Sequence, residues 1–141
     1  MYSPDSDDLD FYDHTNDIIL QFDNPHTIIC GECNLVLDCN LDYENYLHVN
    51  NHLARNTVLS LCRNFDFTDP WRIQNPNVRR FTWRQHATLK QSRLDFFLIS
   101  SELGSNLVSC DINPGYRADH SLVDICLDFN QMERGPGYLE I

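Results

Sequence analysis

Apolar residues recur at helical spacing in two segments of the chain. In the first segment they fall on one face of a 3.6-residue period at Phe11, Thr15, Ile18, Ile19 and Phe22. Ser6, Asp7, Asp8 and Asp10 can cap this helix and place acids in its first turn, and Asn24-Pro25 ends it. The second segment repeats the spacing at Ala54, Val58, Leu61, Cys62 and Phe65, which predicts a helix over about 48–64.

Other segments have the pattern of strands. Apolar or aromatic runs occupy 27–30, 81–84, 93–100 and, more weakly, 108–112. In the last such segment Val123, Ile125, Leu127 and Phe129 alternate with Asp124, Cys126 and Asp128, as in a half-buried strand. Helices and strands without strict alternation predict an α+β domain.

Length and composition limit the class of protein. A chain of 141 residues with 42% hydrophobic content is enough for one compact domain. No run of about 18 apolar residues is present, so we expect no membrane span. The start of the sequence has no basic and apolar signal-peptide pattern, so we expect an intracellular location and six free thiols.

Charge is distributed unevenly. The first 45 residues are rich in acids and contain no Lys or Arg, and the whole chain carries a formal net charge of −11. By contrast, the segment from Trp71 to Leu94 contains no acid and six bases: Arg72, Arg79, Arg80, Arg84, Lys90 and Arg93. This basic segment is either a nucleic-acid contact, with Trp71, Phe81 and Trp83 stacking on bases, or an ordinary solvated loop.

Cys30-x-x-Cys33 is a candidate metal or redox motif. Structural zinc needs four ligands, and the other cysteines form no second pair, although His48 and His52 are spaced to share a helix face. A thioredoxin-type pair opens a helix, whereas an apolar, extended segment follows Cys33. A zinc or thiol module is therefore the least favoured hypothesis for the function of this chain.

Asp95 interrupts an otherwise apolar predicted strand, so its charge needs a partner. Asp119-His120 comes just before another strand and can bring an imidazole to the edge of the sheet. An Asp that orients a His is a common catalytic device, and it is also an ordinary buried ion pair.

Three motifs together resemble the endonuclease/exonuclease/phosphatase superfamily, which has the deoxyribonuclease-like and apurinic-endonuclease-like fold. Gly31-Glu32-Cys33-Asn34 is similar to G-D-x-N, Ser92-Arg93-Leu94-Asp95-Phe96 to S-R-[IL]-D-[YF], and Ala118-Asp119-His120 to S-D-H. The start, Tyr2-Ser3-Pro4-Asp5, is similar to Y-x-P-N. The stretches 69–72, 81–84 and 134–138 resemble the endonuclease domain of LINE-type non-LTR retrotransposons.

The resemblance implies an α/β/β/α sandwich in four layers and Mg²⁺-dependent cleavage of DNA phosphodiesters. It implies that Glu32 activates water, Asn34 positions the attack, and Asp95 orients His120 on the phosphate. It further implies that Tyr2 lies near the phosphate and that Asp119 is associated with the metal. It also implies nucleic-acid contacts by Trp83, Arg84, Arg93 and Arg117.

The same comparison implies an incomplete domain. Residues 1–132 match only the C-terminal portion of the family pattern, without its early Asn and its metal-binding Glu, and 133–141 resemble the start of a linker. We therefore expect a partial sandwich, made of one mainly antiparallel sheet and two helices. We expect weak or no catalysis, because Glu32 is one methylene longer than the family's Asp and Asp5 repels an anion. A nuclear location by family analogy and self-association through the sheet face at Val123 to Phe129 are further expectations.

Overall fold

The computed structural model describes residues 7, 9–22, 24–48, 51–115 and 118–130. Within them the helices are α1 (Asp10–Phe22), α2 (His52–Asn64), α3 (Pro70–Gln74) and a 3₁₀ helix (Ser101–Asn106). The strands are β1 (Ile28–Glu32), β2 (Tyr43–Glu44), β3 (Phe67–Thr68), β4 (Trp83–Arg84), β5 (Gln91–Ser92), β6 (Asp95–Ser100), β7 (Leu107–Asn113) and β8 (Leu122–Leu127). The predicted α+β class is confirmed. No described helix is long and apolar enough to cross a membrane.

The strands form small antiparallel sheets. The first has the order β1-β6-β3, the second has the order β2-β5-β4, and β7 pairs with β8. The register of β1 against β6 places Ile28 opposite Ile99 at one end and Glu32 opposite Asp95 at the other. The polar end of this pair therefore carries two carboxylates directly across from each other.

Strand β6 separates two apolar clusters. Phe96 and Leu98 pack with Tyr12 of α1 and with Ala54 and Val58 of α2. Side chains alternate along a strand, so Phe97 turns the other way. It packs against the second cluster, which is built on Trp71, Cys110 and Ile112. This gives the helix, sheet and sheet layers of a partial α/β sandwich.

The β8 residues cover the second cluster only in part. Val123 and Ile125 pack against it and remain half-buried. Phe129 lies beyond the end of β8 and is 47% exposed.

Helix α2 begins at His52, four residues later than predicted. Asn51 precedes it in the left-handed region, with φ 51°, and its side chain makes no capping hydrogen bond. The cap comes from Asp7, whose Oδ1 accepts hydrogen bonds from Leu53 N at 2.9 Å and Ala54 N at 3.0 Å. His48 therefore lies outside the helix, and the expected His48/His52 pair on one helix face is wrong.

Several expectations fall outside the described residues. These are the Tyr2 motif with Asp5, Arg117, the 134–138 motif and the linker over 133–141.

Candidate active site

Glu32 is the last residue of β1, and Gly31 sets its position. Gly31 has φ 148°, a backbone conformation that residues with a side chain rarely adopt. Glu32 then lies directly across from Asp95 on β6. Like charges opposite one another on a sheet are unfavourable unless a cation or a proton separates them.

His120 supplies the group between the two acids. Its backbone pairs with Trp83 in an isolated antiparallel bridge, which brings the imidazole to the end of the β1–β6 pair. His120 Nδ1 lies 2.8 Å from Asp95 Oδ2, and its Nε2 lies 3.9 Å from Glu32 Oε1. The His side chain is 31% exposed and each carboxylate is 21% exposed. We call these three residues the His120 site.

Asn34 lies two residues after Glu32 and borders the same opening. Its φ of 50° is in the left-handed region, which Asn tolerates better than most residues. The Asn34 carbonyl accepts a hydrogen bond from Asn51 Nδ2 at 2.8 Å. Asn34 and Glu32 both line a cavity of about 390 Å³.

This cavity has aromatic and basic walls. Tyr43 and Tyr46 of the β2 region contact each other edge to face, with ring centroids 5.5 Å apart. The Lys90 ammonium lies 5.3 Å from the centre of the Tyr46 ring. Trp83 completes the wall between the cavity and His120. Such a lining suits a flat ring that carries an anionic group.

Asp119 is exposed, and its backbone carbonyl accepts a hydrogen bond from Arg84 N at 3.0 Å. A divalent cation that is held by the protein alone needs several oxygen ligands around one point. Among the described residues, no group of three or more His, Cys, Asp or Glu side chains could hold a metal ion. The donor set of this part of the chain therefore does not fit a protein-only Mg²⁺ site.

Arg93, which was expected to contact nucleic acid, is buried with 1% of its side chain exposed. Its guanidinium lies 2.8 Å from Asp42 Oδ1 and 2.5 Å from Asp69 Oδ2. Arg72 lies 2.5 Å from the same Asp42. These four residues form a buried charge network, and Arg93 is not available to a nucleic acid.

Burial and pairing compete in this network. Burial acts to raise the pKa of Asp42, but the hydrogen bonds and charge of Arg93, the backbone hydrogen bond from Asp38 and the charge of Arg72 together outweigh it and hold that pKa below its ordinary value. Burial likewise acts to lower the pKa of Arg93, and Asp42 and Asp69 reverse the direction. Both groups stay charged near neutral pH, as paired buried ions do.

The basic segment is only partly on the surface. Trp71 and Phe81 are 4% and 7% exposed, so the idea that they stack on bases is wrong. Arg79, Arg80, Arg84 and Lys90 remain at least partly exposed. Arg84 donates from Nε to Gln91 Oε1 at 2.9 Å, and this contact holds it beside Trp83 on β4.

All six cysteines lie among the described residues and are free thiols. Cys30 is exposed and Cys33 is buried. Burial raises the pKa of the Cys33 thiol far above its ordinary value, which is opposite to what a reactive redox pair requires.

Sequence reasoning did not find the partners of Arg93. Asp69 belongs to the Asp-Pro-Trp-Arg stretch, where its side chain caps α3 by accepting from Arg72 N at 3.1 Å. A charged residue next to an apolar strand was the available signal for Arg93. Nothing in the local pattern marks Asp42, which is 51 residues away.

No protein-family model matches the chain, and no curated protein matches it in sequence. Solved structures do match. An AP endonuclease from Archaeoglobus fulgidus has a TM-score of 0.74 at 19% identity, covering 85% of this chain and 53% of its own. The AP endonuclease LMAP from Leishmania major has a TM-score of 0.71 at 18% identity, covering 83% and 42%. The chain has the endonuclease/exonuclease/phosphatase fold.

A further structure with the endonuclease/exonuclease/phosphatase fold is the 3′ phosphatase NExo from Neisseria, bound to a product DNA hairpin. It has a TM-score of 0.69 at 17% identity, covering 84% of this chain and 50% of its own. The chain thus spans about half the length of these structures.

Proposed function

We propose that the His120 site cleaves phosphodiester bonds in DNA, as part of an endonuclease domain of the LINE-type retrotransposon kind, and that its turnover is slow. The observation that carries this proposal is the position of His120 between Asp95 at 2.8 Å and Glu32 at 3.9 Å. The fold and the DNA-bound NExo structure support DNA as the substrate class.

The geometry assigns a role to each group. Asp95 accepts the Nδ1–H hydrogen bond of His120, which fixes the ring and leaves Nε2 turned toward Glu32. At 3.9 Å the Nε2 and Glu32 oxygen are too far apart for a direct hydrogen bond. In the imidazolium form Nε2–H can therefore donate to a phosphate oxygen, while the Glu32 carboxylate accepts a proton from the attacking water. The water oxygen bonds to phosphorus as the P–O bond to one sugar oxygen breaks, and that sugar oxygen leaves and takes a proton from solvent.

Slow turnover follows from two features. Glu32 is longer than the Asp of the family motif, so its carboxylate is less rigidly placed, and catalytic groups need placement within about 0.5 Å. In addition, Glu32 and Asp95 carry neighbouring negative charges, and the described residues form no metal site whose cation would offset them. The resemblance makes Mg²⁺ the cation to supply in the assay.

Nicking of supercoiled plasmid tests the proposal. The protein is incubated with plasmid in Mg²⁺ and in EDTA, beside His120→Ala, Asp95→Asn and the control Cys126→Ser, which alters an exposed residue of β8. We expect slow nicking in Mg²⁺ by the native chain and the control, and none by the two site variants. Nicking that survives in His120→Ala, or a folded native chain without nicking, would overturn the proposal.

A second candidate function is nucleic-acid binding without cleavage. The cavity beside the His120 site favours it, since Trp83 and Tyr46 offer ring faces and Lys90 a cation. Base stacking and phosphate neutralisation together bind single strands with little sequence preference. Lys90→Gln should weaken oligonucleotide binding and reduce its salt dependence, whereas Arg55→Gln, on α2, should not. Binding that is insensitive to salt would exclude this function.

Self-association is proposed for the sheet face at Val123 to Phe129, with a second copy of the chain as partner. Val123 and Ile125 remain half-buried after packing against the second cluster, and Phe129 is 47% exposed. Sedimentation should show a concentration-dependent dimer that Phe129→Ser weakens. A monomer at every concentration would contradict this.

A further inference from the structure

Thr82 joins the two segments that bring Asp95 and His120 together. It precedes β4 directly, and it is fully buried, with 0% exposed. Its backbone N–H donates to the Ser92 carbonyl at 3.0 Å, and its own carbonyl accepts from Ser121 N at 2.6 Å. Its backbone therefore connects the strand before Asp95 with the residue after His120.

The Thr82 side chain makes a second connection. Its Oγ1 accepts hydrogen bonds from Leu94 N at 2.9 Å and from Asp95 N at 3.0 Å. A hydroxyl has two acceptor positions, and both are used here on consecutive backbone amides. Leu94 directly precedes β6 and Asp95 is its first residue, so Thr82 binds the two amides at the start of that strand.

We infer that Thr82 is a positioning residue that fixes the start of β6 and the His120 segment in one geometry, so that Asp95 can hold the His120 ring. This inference rests on the proposed function of the His120 site. Thr82 touches neither reacting group through its side chain. It acts through the Asp95 backbone on one side and the Ser121 backbone on the other.

Two substitutions of Thr82 test the contribution of its hydroxyl separately from that of its side-chain shape. Thr82→Val keeps the shape and removes the acceptor, so two part-buried amides lose their partner. Thr82→Ser keeps the acceptor and removes a methyl group. Val58→Ala, in the cluster on the other side of β6, is the matched control for lost stability alone. If Thr82→Val does not fold, Thr82→Cys replaces it, because sulfur is a weak acceptor of similar size.

The first readout is the NMR signal of the His120 Nδ1–H proton, which is protected when Asp95 accepts it. We expect the signal in the native chain, in Thr82→Ser and in Val58→Ala, and its loss in Thr82→Val. The second readout is plasmid nicking, where a displacement of about 1 Å can cost about a hundredfold in rate. We expect Thr82→Val to lower kcat by this order with little change in KM, and Thr82→Ser to restore most of it.

The two readouts fail independently. A native chain without nicking overturns the proposed function, while the Nδ1–H signal still tests Thr82. Retention of that signal in Thr82→Val, or its loss in Thr82→Ser or Val58→Ala, overturns the positioning role.

Discussion

Glu32 and Asp95 are direct partners across the β1–β6 pair, and His120 approaches both of them. Only Asp95 reaches the ring at hydrogen-bond distance. The two acids therefore have different parts: Asp95 orients the ring, and Glu32 faces the opening. The two strands place both carboxylates at the same end of the β1–β6 pair. The difference in role between Asp95 and Glu32 therefore comes from the position of the His120 segment beside β4.

Glu32→Gln should abolish nicking without destabilising the fold. It removes the proton acceptor and also the repulsion between paired carboxylates, which is worth about 0.2–1 kcal/mol on a sheet. Glu32→Asp restores the residue of the family motif and should raise the nicking rate by about tenfold. Plasmid nicking and urea unfolding measure the two effects. A slower Glu32→Asp enzyme would show that the longer side chain is the better placed one.

Asp42→Asn should be the most destabilising polar substitution in the described part of the chain. It breaks the buried charge network and leaves Arg93, with 1% of its side chain exposed, short of a counter-charge. Loss of one partner of a buried pair costs about 3–5 kcal/mol. Urea unfolding followed by fluorescence measures it.

Glu44→Gln provides the control for that measurement. It removes an ion pair with Arg79 at 3.7 Å, where both side chains are about half exposed. Surface pairs contribute about 0–1 kcal/mol, so the unfolding midpoint should barely move. Equal losses in the two variants would contradict the assignment of the network to the core.

Acid should weaken the fold through Asp42. Its folded pKa lies below the ordinary value near 3.8, despite burial, because of Arg93, the Asp38 backbone and Arg72. A lowered pKa gives stability that is complete above the unfolded pKa and is lost as pH falls through the folded value. Between about pH 5 and pH 2 the free energy of unfolding should fall more steeply in the native chain than in Asp42→Asn. Parallel slopes would show that Asp42 does not titrate in this window.

Alkylation should distinguish the cysteines. Thiolates react and thiols do not. Burial raises the pKa of Cys62 to about 11 and of Cys110 to about 12, and raises that of Cys33 further. Iodoacetamide at about pH 8 should therefore label the exposed Cys30 and Cys126 first, and Cys33, Cys62 and Cys110 only on unfolding. Peptide mass spectrometry measures the order, and early labelling of Cys33 would contradict it.

Local periodicity was enough to predict most of the larger elements. In α1, α2, β6 and β8 one face of each element packs against the core. Apolar residues therefore recur at every second position in the strands and at every third or fourth position in the helices. The resemblance placed Asp95 and His120 together, and the 2.8 Å contact is present. Their catalytic roles stay predictions.

The remaining elements and contacts depend on residues far apart in the sequence, so local periodicity did not predict them. The strands of the β2-β5-β4 sheet are two residues each, too short to leave a period. Arg93 has the sequence character of a surface cation, and only the folded chain brings Asp42 to it across 51 residues. Helix α2 starts late for the same reason, since its cap lies 46 residues away.

That remote cap gives α2 a place in the order of folding. Helix nucleation is costly, and a first turn without a local cap closes only when its amides find a partner. For Leu53 and Ala54 that partner is Asp7, so the turn completes only when Asp7 reaches it. The exchange of these two amide protons with solvent thus reports the Asp7 contact rather than the integrity of α2 itself.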